Sequence, residues 1–293
     1  MPGHSIFVAL VACLITGPAQ AEAGIQSFER AITAGKYADV EQPLERFTAT
    51  HPQSAEGWYQ LGYVYFRLHK IWPSVKALSR SLAINPRQAE AHKILGLDFT
   101  ILGRMDLAED ELRRAVRLSP GSAEIQYSLG RVYYERGNYG MAARHLENAL
   151  KVKPNYVKAL HNLGLTYEAL GDFSRSRALF QKAIELSERD SGDSEWPYLN
   201  FASFLNRRGE HAAALGFLQK AKAINPKSDQ VAFELAKAYR GLGQWSAAAA
   251  ALETATMINP NNSEYFYVLS LMYKKLGKDE DSRAALRRAR ALR

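Results

Sequence analysis

Residues 157–183 read VKALHNLGLTYEALGDFSRSRALFQKA. Apolar side chains fall at Leu160, Leu163, Leu165 and Tyr167, and again at Leu179, Phe180, Ala183 and Ile184. That is the three- and four-residue spacing of an amphipathic helix. Between the runs stands Gly171-Asp172, a pair that favours a turn. Small residues at Gly164, Ala178 and Ala183 mark where two helices can pack closely. The stretch predicts two helices joined by a tight turn.

The same pattern recurs outward in both directions. The turn glycines Gly103, Gly137 and Gly171 are 34 residues apart, as are Gly209, Gly243 and Gly277, and Gly35 fits the same frame. Pro52, Pro86, Pro120 and Pro154, then Pro226 and Pro260, keep the 34-residue step. Between Gly171 and Gly209 the step is 38, so four residues are added, in the polar run Glu188–Ser194. Two readings of that run stay open: a joint between two sub-arrays, or a one-turn extension of the preceding helix.

Period and pattern together resemble the tetratricopeptide repeat. Units start at Ala21, Ala55, Ala89, Ala123, Val157, Glu195, Asp229 and Ser263. A large-then-small pair recurs at the seventh and eighth positions, from Leu61-Gly62, Leu95-Gly96, Leu129-Gly130 and Leu163-Gly164 to Phe201-Ala202, Leu235-Ala236 and Leu269-Ser270. An aromatic stands at position eleven in Tyr65, Phe99, Tyr133, Tyr167, Tyr239 and Tyr273, with Leu205 the exception. The resemblance implies an all-α, right-handed superhelical solenoid of about eight helix-turn-helix units. The expected organisation is a leader at 1–21, a degenerate capping repeat at 22–54, units at 55–187, the insertion at 188–194 and further units at 195–293. A terminal repeat lacks a neighbour on one side, which accounts for Phe28 at the first unit's small position.

The 293 residues carry 47% hydrophobic and 23% charged side chains, the balance of a folded soluble protein. A net charge of +8 is modest for this length and does not make a nucleic-acid binder. The first 21 residues contain no Asp, Glu, Lys or Arg. Their apolar run Ile6–Thr16 ends at Gly17-Pro18 and is followed by Ala19-Gln20-Ala21. This predicts a secretory signal peptide cleaved after Ala21, or after Ala23, and a periplasmic or secreted protein. Cys13, the only cysteine, lies in that leader, so a mature chain would have neither disulfides nor Cys-based metal sites. Leu10-Val11-Ala12-Cys13 also resembles a lipoprotein signal, the alternative in which Cys13 anchors the chain to a membrane.

The sequence holds no HExxH, GxSxG, Walker-type loop or GxGxxG. No two of its seven histidines stand at i, i+4 with a supporting acid. No catalytic residue, metal or cofactor is expected, and the reading is a non-enzymatic interaction scaffold or adaptor. The resemblance places ligands on the inner face of the first helix of each unit. The expected partner-binding residues are Tyr59, Tyr63, Phe66, Tyr127, Arg131, Tyr134, His161, Arg207, Phe233, Lys237, Arg240, Tyr267 and Lys274. The N-terminal part of this set is aromatic and the C-terminal part basic. The expected partner is therefore a protein or peptide with acidic groups, not a nucleic acid. The family's two-carboxylate clamp would need Asn four residues after a position-five lysine, but Lys93 is followed by Leu97. The alternative function is a membrane-associated component of an envelope-assembly, secretion or polysaccharide-export machine.

Overall fold

The computed structural model describes residues 18–190 and 193–292, with side chains from Ile25 onward except at Asp190. The leader run Ile6–Thr16, Cys13 included, lies outside the described residues. The helices, in order, are α1 (Pro18–Thr33), α2 (Tyr37–Thr50), α3 (Ala55–Arg67), α4 (Ile71–Ile84), α5 (Ala89–Ile101), α6 (Met105–Leu118), α7 (Ala123–Glu135) and α8 (Tyr139–Val152). Next come α9 (Val157–Ala169), α10 (Phe173–Asp190), α11 (Trp196–Arg207), α12 (His211–Ile224), α13 (Asp229–Gly241), α14 (Trp245–Ile258), α15 (Ser263–Lys275) and α16 (Asp279–Ala291). This is an all-α repeat solenoid of paired helices. From α3 on, each odd-numbered helix starts at, or one residue after, the unit start read from the sequence.

Each pair turns on a left-handed residue. Gly35, Gly103, Gly137, Gly171, Gly209, Gly243 and Gly277 all take φ between 68° and 80°. At the turn between α3 and α4 the residue in that place is His69, with φ 58°. A side chain crowds the backbone in this region, at about 1–2 kcal/mol. His69→Gly is expected to raise the unfolding free energy by about 1 kcal/mol, read from the shift in a thermal or urea melt. An unchanged or lowered midpoint would remove strain from the account of this turn.

Within a pair, the close approach is set at the eighth position. A Cβ on Gly62 would lie 2.6 Å from Leu78 Cγ, one on Gly96 2.7 Å from Leu112 Cγ, and one on Gly164 3.0 Å from Phe180 Cζ. Leu78 and Leu112 are fully buried, so neither has room to withdraw.

Recurrent polar ties join the repeats. At position four, three chemically unlike side chains perform one task. Trp58 Nε1 donates to the Pro52 carbonyl (3.1 Å), Gln126 Nε2 donates to the Pro120 carbonyl (2.9 Å), and His92 Nε2 lies 3.0 Å from the Pro86 carbonyl. The other nitrogen of the His92 ring lies 2.6 Å from Glu111 Oε2. At position eleven, Tyr65 donates to Glu45 (2.6 Å) and Tyr273 to Glu253 (2.9 Å), and Tyr167 donates to Glu147. Each tyrosine reaches a glutamate 20 residues back, on the second helix of the preceding unit. Burial and the adjoining carboxylate push the Tyr273 hydroxyl up to about 12.

By internal contacts the chain divides into two compact units, one through Val132 and the other from Tyr133 on. In the first, Val40, Leu44, Leu61, Val64 and Ala77 form one core cluster, and Leu78, Ala91, Ile94 and Leu95 another. In the second, Phe180, Phe201, Phe204, Leu205 and Leu218 lead one cluster and Leu252, Leu269 and Met272 another. The polar run 188–194 lies inside the second unit. Residues 188–190 continue α10, which has 18 residues where α8 and α12 have 14.

One buried group in the first unit is unusual. Asp98, fully buried on α5, has Oδ2 2.6 Å from Ser74 Oγ, and Ser74 Oγ is 2.9 Å from the Gly62 carbonyl. Asp98 Oδ1 has no hydrogen-bond partner among the described residues. A serine hydroxyl has one proton. Ser74 therefore shares that one proton between two acceptors, Asp98 Oδ2 and the Gly62 carbonyl. Burial pushes the Asp98 carboxyl up to about 7, against the weaker pull of the Ser74 bond.

Candidate functional site

In the first unit, α3 and α5 present the N-terminal aromatics. Tyr59, Tyr63 and Phe66 are half-buried and pack against the cluster of Leu78, Ala91, Ile94 and Leu95. Burial pushes the Tyr59 hydroxyl strongly up, helped by Glu90 and Glu56. Arg67 donates to the Tyr63 hydroxyl (2.8 Å) and lies 4.4 Å from the ring centre of Tyr37 on α2. These aromatics therefore serve first as filling between helices. Arg131 lies 5.9 Å from the ring centre of Tyr127, and both are half-buried. Lys93, between them and α3, bonds Glu90 (2.5 Å) and Glu124 (3.2 Å).

In the second unit, Tyr134 stacks obliquely on Tyr139 at 5.5 Å. His161 packs on Phe180 at 5.7 Å, and its Nδ1 is buried with no partner among the described residues. Burial, then the charge of Arg207, pushes His161 down to about 4, so the ring is neutral near pH 7. Arg207 is engaged within the chain: its fork grips both oxygens of Glu168 at 2.7 Å, and Nη1 donates to Ser203 Oγ at 2.8 Å. Lys237 is engaged too. It bonds Glu234 Oε1 at 2.7 Å and lies 4.4 Å from the ring centre of Phe233. The second Glu234 oxygen accepts from Asn206 at 2.9 Å. Of the basic residues expected to bind a partner, Arg240 and Lys274 are exposed and make no ion pair among the described residues. Tyr267 is 42% exposed.

A pocket of about 270 Å³ opens on this face. Its lining comes only from α11, α13 and α15 and the turn residue Asn262. Phe233 and Tyr265 form its apolar wall, their ring centres 4.7 Å apart. Asn200, Ser203, Gln230, Glu234 and Glu264 supply the polar lining. Glu264 makes no ion pair among the described residues. Phe233 is the one expected partner-binding residue that the pocket contains. Gln230 and Glu264 were absent from that set, and both stand at position two of their units.

Tetratricopeptide-repeat family models match residues 74–123, 130–171, 157–190 and 205–272. The chain belongs to the tetratricopeptide repeat family. Among solved structures, MamA is 25% identical over 56% of this chain and 96% of its own, with a TM-score of 0.52. PilF of Pseudomonas aeruginosa is 21% identical over 72% of this chain and 94% of its own, with a TM-score of 0.60. A tetratricopeptide repeat protein from Parabacteroides merdae is 18% identical over 86% of this chain and 98% of its own, with a TM-score of 0.69. The last two share the fold. No curated protein matches the chain.

Repeat folds of this family typically serve as interaction scaffolds and bind proteins or peptides. The described residues contain no group of three or more His, Cys, Asp or Glu able to hold a metal ion. No helix among them is long and apolar enough to cross a membrane.

Proposed function

We propose that this chain is a non-enzymatic scaffold that holds a peptide segment of a partner protein on the face formed by its first helices. The observation that carries this reading is the 270 Å³ pocket, which second helices do not line at all. It joins an aromatic wall to polar groups, the combination that anchors peptide ligands. Arg240 and Lys274 add a carboxylate-seeking end, which supports an acidic component in the partner. The leader pattern supports work outside the cytoplasm, in the periplasm or beyond the cell. The lipoprotein-like Leu10–Cys13 motif supports a second reading, a lipid-anchored member of an envelope assembly.

Site-specific photo-crosslinking in the source cell tests the reading. A photoreactive phenylalanine at Tyr267 on the first-helix face is expected to give an adduct to one segment of one partner. The same group at Met257, 75% exposed on the second helix α14, is expected to give none. Adducts from Met257 alone would overturn the assigned face. The intact mass of the recovered protein reads the leader: a start at Glu22 supports simple export, an acylated Cys13 supports the anchored reading, and an uncut chain sinks both.

A further inference from the structure

We propose that the second unit selects a segment carrying one cationic and one acidic side chain about four or five residues apart, the cation at Glu264 and the acid at Arg240 and Lys274. This rests on the peptide-binding reading above and specifies its ligand.

The inference starts from which charges are already used. Arg207 is closed by Glu168, and Lys237 by Glu234, whose other oxygen is held by Asn206. On α13 and α15 the charges left uncompensated on this face are polarised along the helices. At the N-terminal end of α15 stands Glu264, lining the pocket. At the C-terminal ends of α13 and α15 stand Arg240 and Lys274, exposed. Acid at a helix start and base at its end also suit the helix dipole. The dipole does not require a pocket beside the acid.

The pocket's chemistry fits a cation. Its lining has two carboxylates, Glu234 and Glu264, and no Lys, Arg or His. The rings of Phe233 and Tyr265 are largely buried and Lys237 already covers Phe233, so they give the pocket an apolar wall for a side-chain stem, and Glu264 is the group left to attract its charge. Asn200 and Gln230 flank them with carboxamides that make no hydrogen bond among the described residues, and a carboxamide can both donate to and accept from a peptide group.

Helix geometry sets the spacing. Glu264 and Lys274 are ten residues apart on α15, as are Gln230 and Arg240 on α13. At a rise of about 1.5 Å per residue the separation is about 15 Å. An extended segment advances about 3.3 Å per residue, so four or five residues span that distance.

The test uses the full chain and an array of immobilised ten-residue peptides, each with one lysine and one glutamate at every separation and in both orders. The expected result is strongest retention at separations of four and five. Glu264→Gln and Lys274→Gln should each weaken those peptides about fivefold, the scale of one partly exposed ion pair. Glu264→Lys should shift preference to peptides with two acidic residues. Both side chains are exposed and without ion pairs, and a circular-dichroism melt verifies that the variants stay folded. Retention that ignores spacing, or that Glu264→Gln leaves unchanged, overturns this inference while peptide binding stands. Retention of no peptide overturns both.

Discussion

Gly96→Ala is expected to destabilise the protein by about 1–3 kcal/mol, although alanine is the better helix former. In an open helix the change would be worth roughly 1 kcal/mol in the opposite direction. Here the added methyl group meets Leu112 Cγ at 2.7 Å and the Ala108 carbonyl at 3.2 Å. The first contact is a branch point of a fully buried side chain and the second is backbone, so neither moves cheaply. Gly62→Ala should behave alike, with Leu78 Cγ at 2.6 Å and the Leu78 backbone nitrogen at 3.2 Å. Gly164→Ala should cost less than either, because its nearest neighbours are ring-edge atoms of Phe180 at 3.0–3.2 Å, so this fully buried ring need give by only a few tenths of an ångström. Midpoints of urea or thermal melts rank the three. A Gly96→Ala protein at least as stable as the parent would show that helix spacing is not fixed at this position.

The second large effect is expected at Asp98, and it depends on pH. The folded carboxyl titrates near 7 against 3.8 for the ordinary group. The protonated form is therefore the one the fold favours. Its stabilising contribution is complete below about pH 4, is lost progressively as pH rises towards 7, and is absent above that. A displacement of that size corresponds to about 4 kcal/mol at most, since each pH unit is worth about 1.4 kcal/mol. Asp98→Asn keeps the shape, leaves an amide oxygen to accept from Ser74, and cannot ionise. It should be more stable than the parent at pH 8 and show none of this loss between pH 4 and 7. Parallel melts of the two proteins across that range are the measurement. Curves that fall together with pH would assign the dependence to other groups.

The paired-helix architecture was legible because it rests on residues spaced along the chain. Glycines at each turn and small residues at position eight impose helix breaks and close approach whatever surrounds them. His69 shows the limit of that reading. It occupies a turn in the same frame without being glycine, and only the backbone angle reveals it. Position four shows the same limit: Trp58, His92 and Gln126 look unrelated as letters. Their shared function is a hydrogen bond to a proline carbonyl six residues earlier.

The candidate site was less legible, for a physical reason. Whether an inward-facing charge is available depends on its neighbours across helices. The Glu168 that closes Arg207 lies 39 residues away. Whether an inward-facing aromatic contacts a partner or fills a gap depends on the volume beside it, and Tyr59 and Phe66 are drawn into the core by Ile94 and Leu95. Glu264 was missed because an acid near a helix start ordinarily needs no explanation beyond the dipole. Its place beside a pocket emerges only when three helices are seen together.

The length of α10 carries a consequence for how such arrays grow. A turn of α-helix takes 3.6 residues, so the four residues that lengthen α10 rotate the downstream chain by only about 40° and advance it by about 6 Å. Two added residues would have moved the point where the chain leaves the helix by about 200°, to its opposite side. The repeat therefore accepts length changes in near-whole turns, which preserve angular phase, and resists those between. Insertions that break the 34-residue period without breaking the fold should cluster at three, four, seven or eight residues.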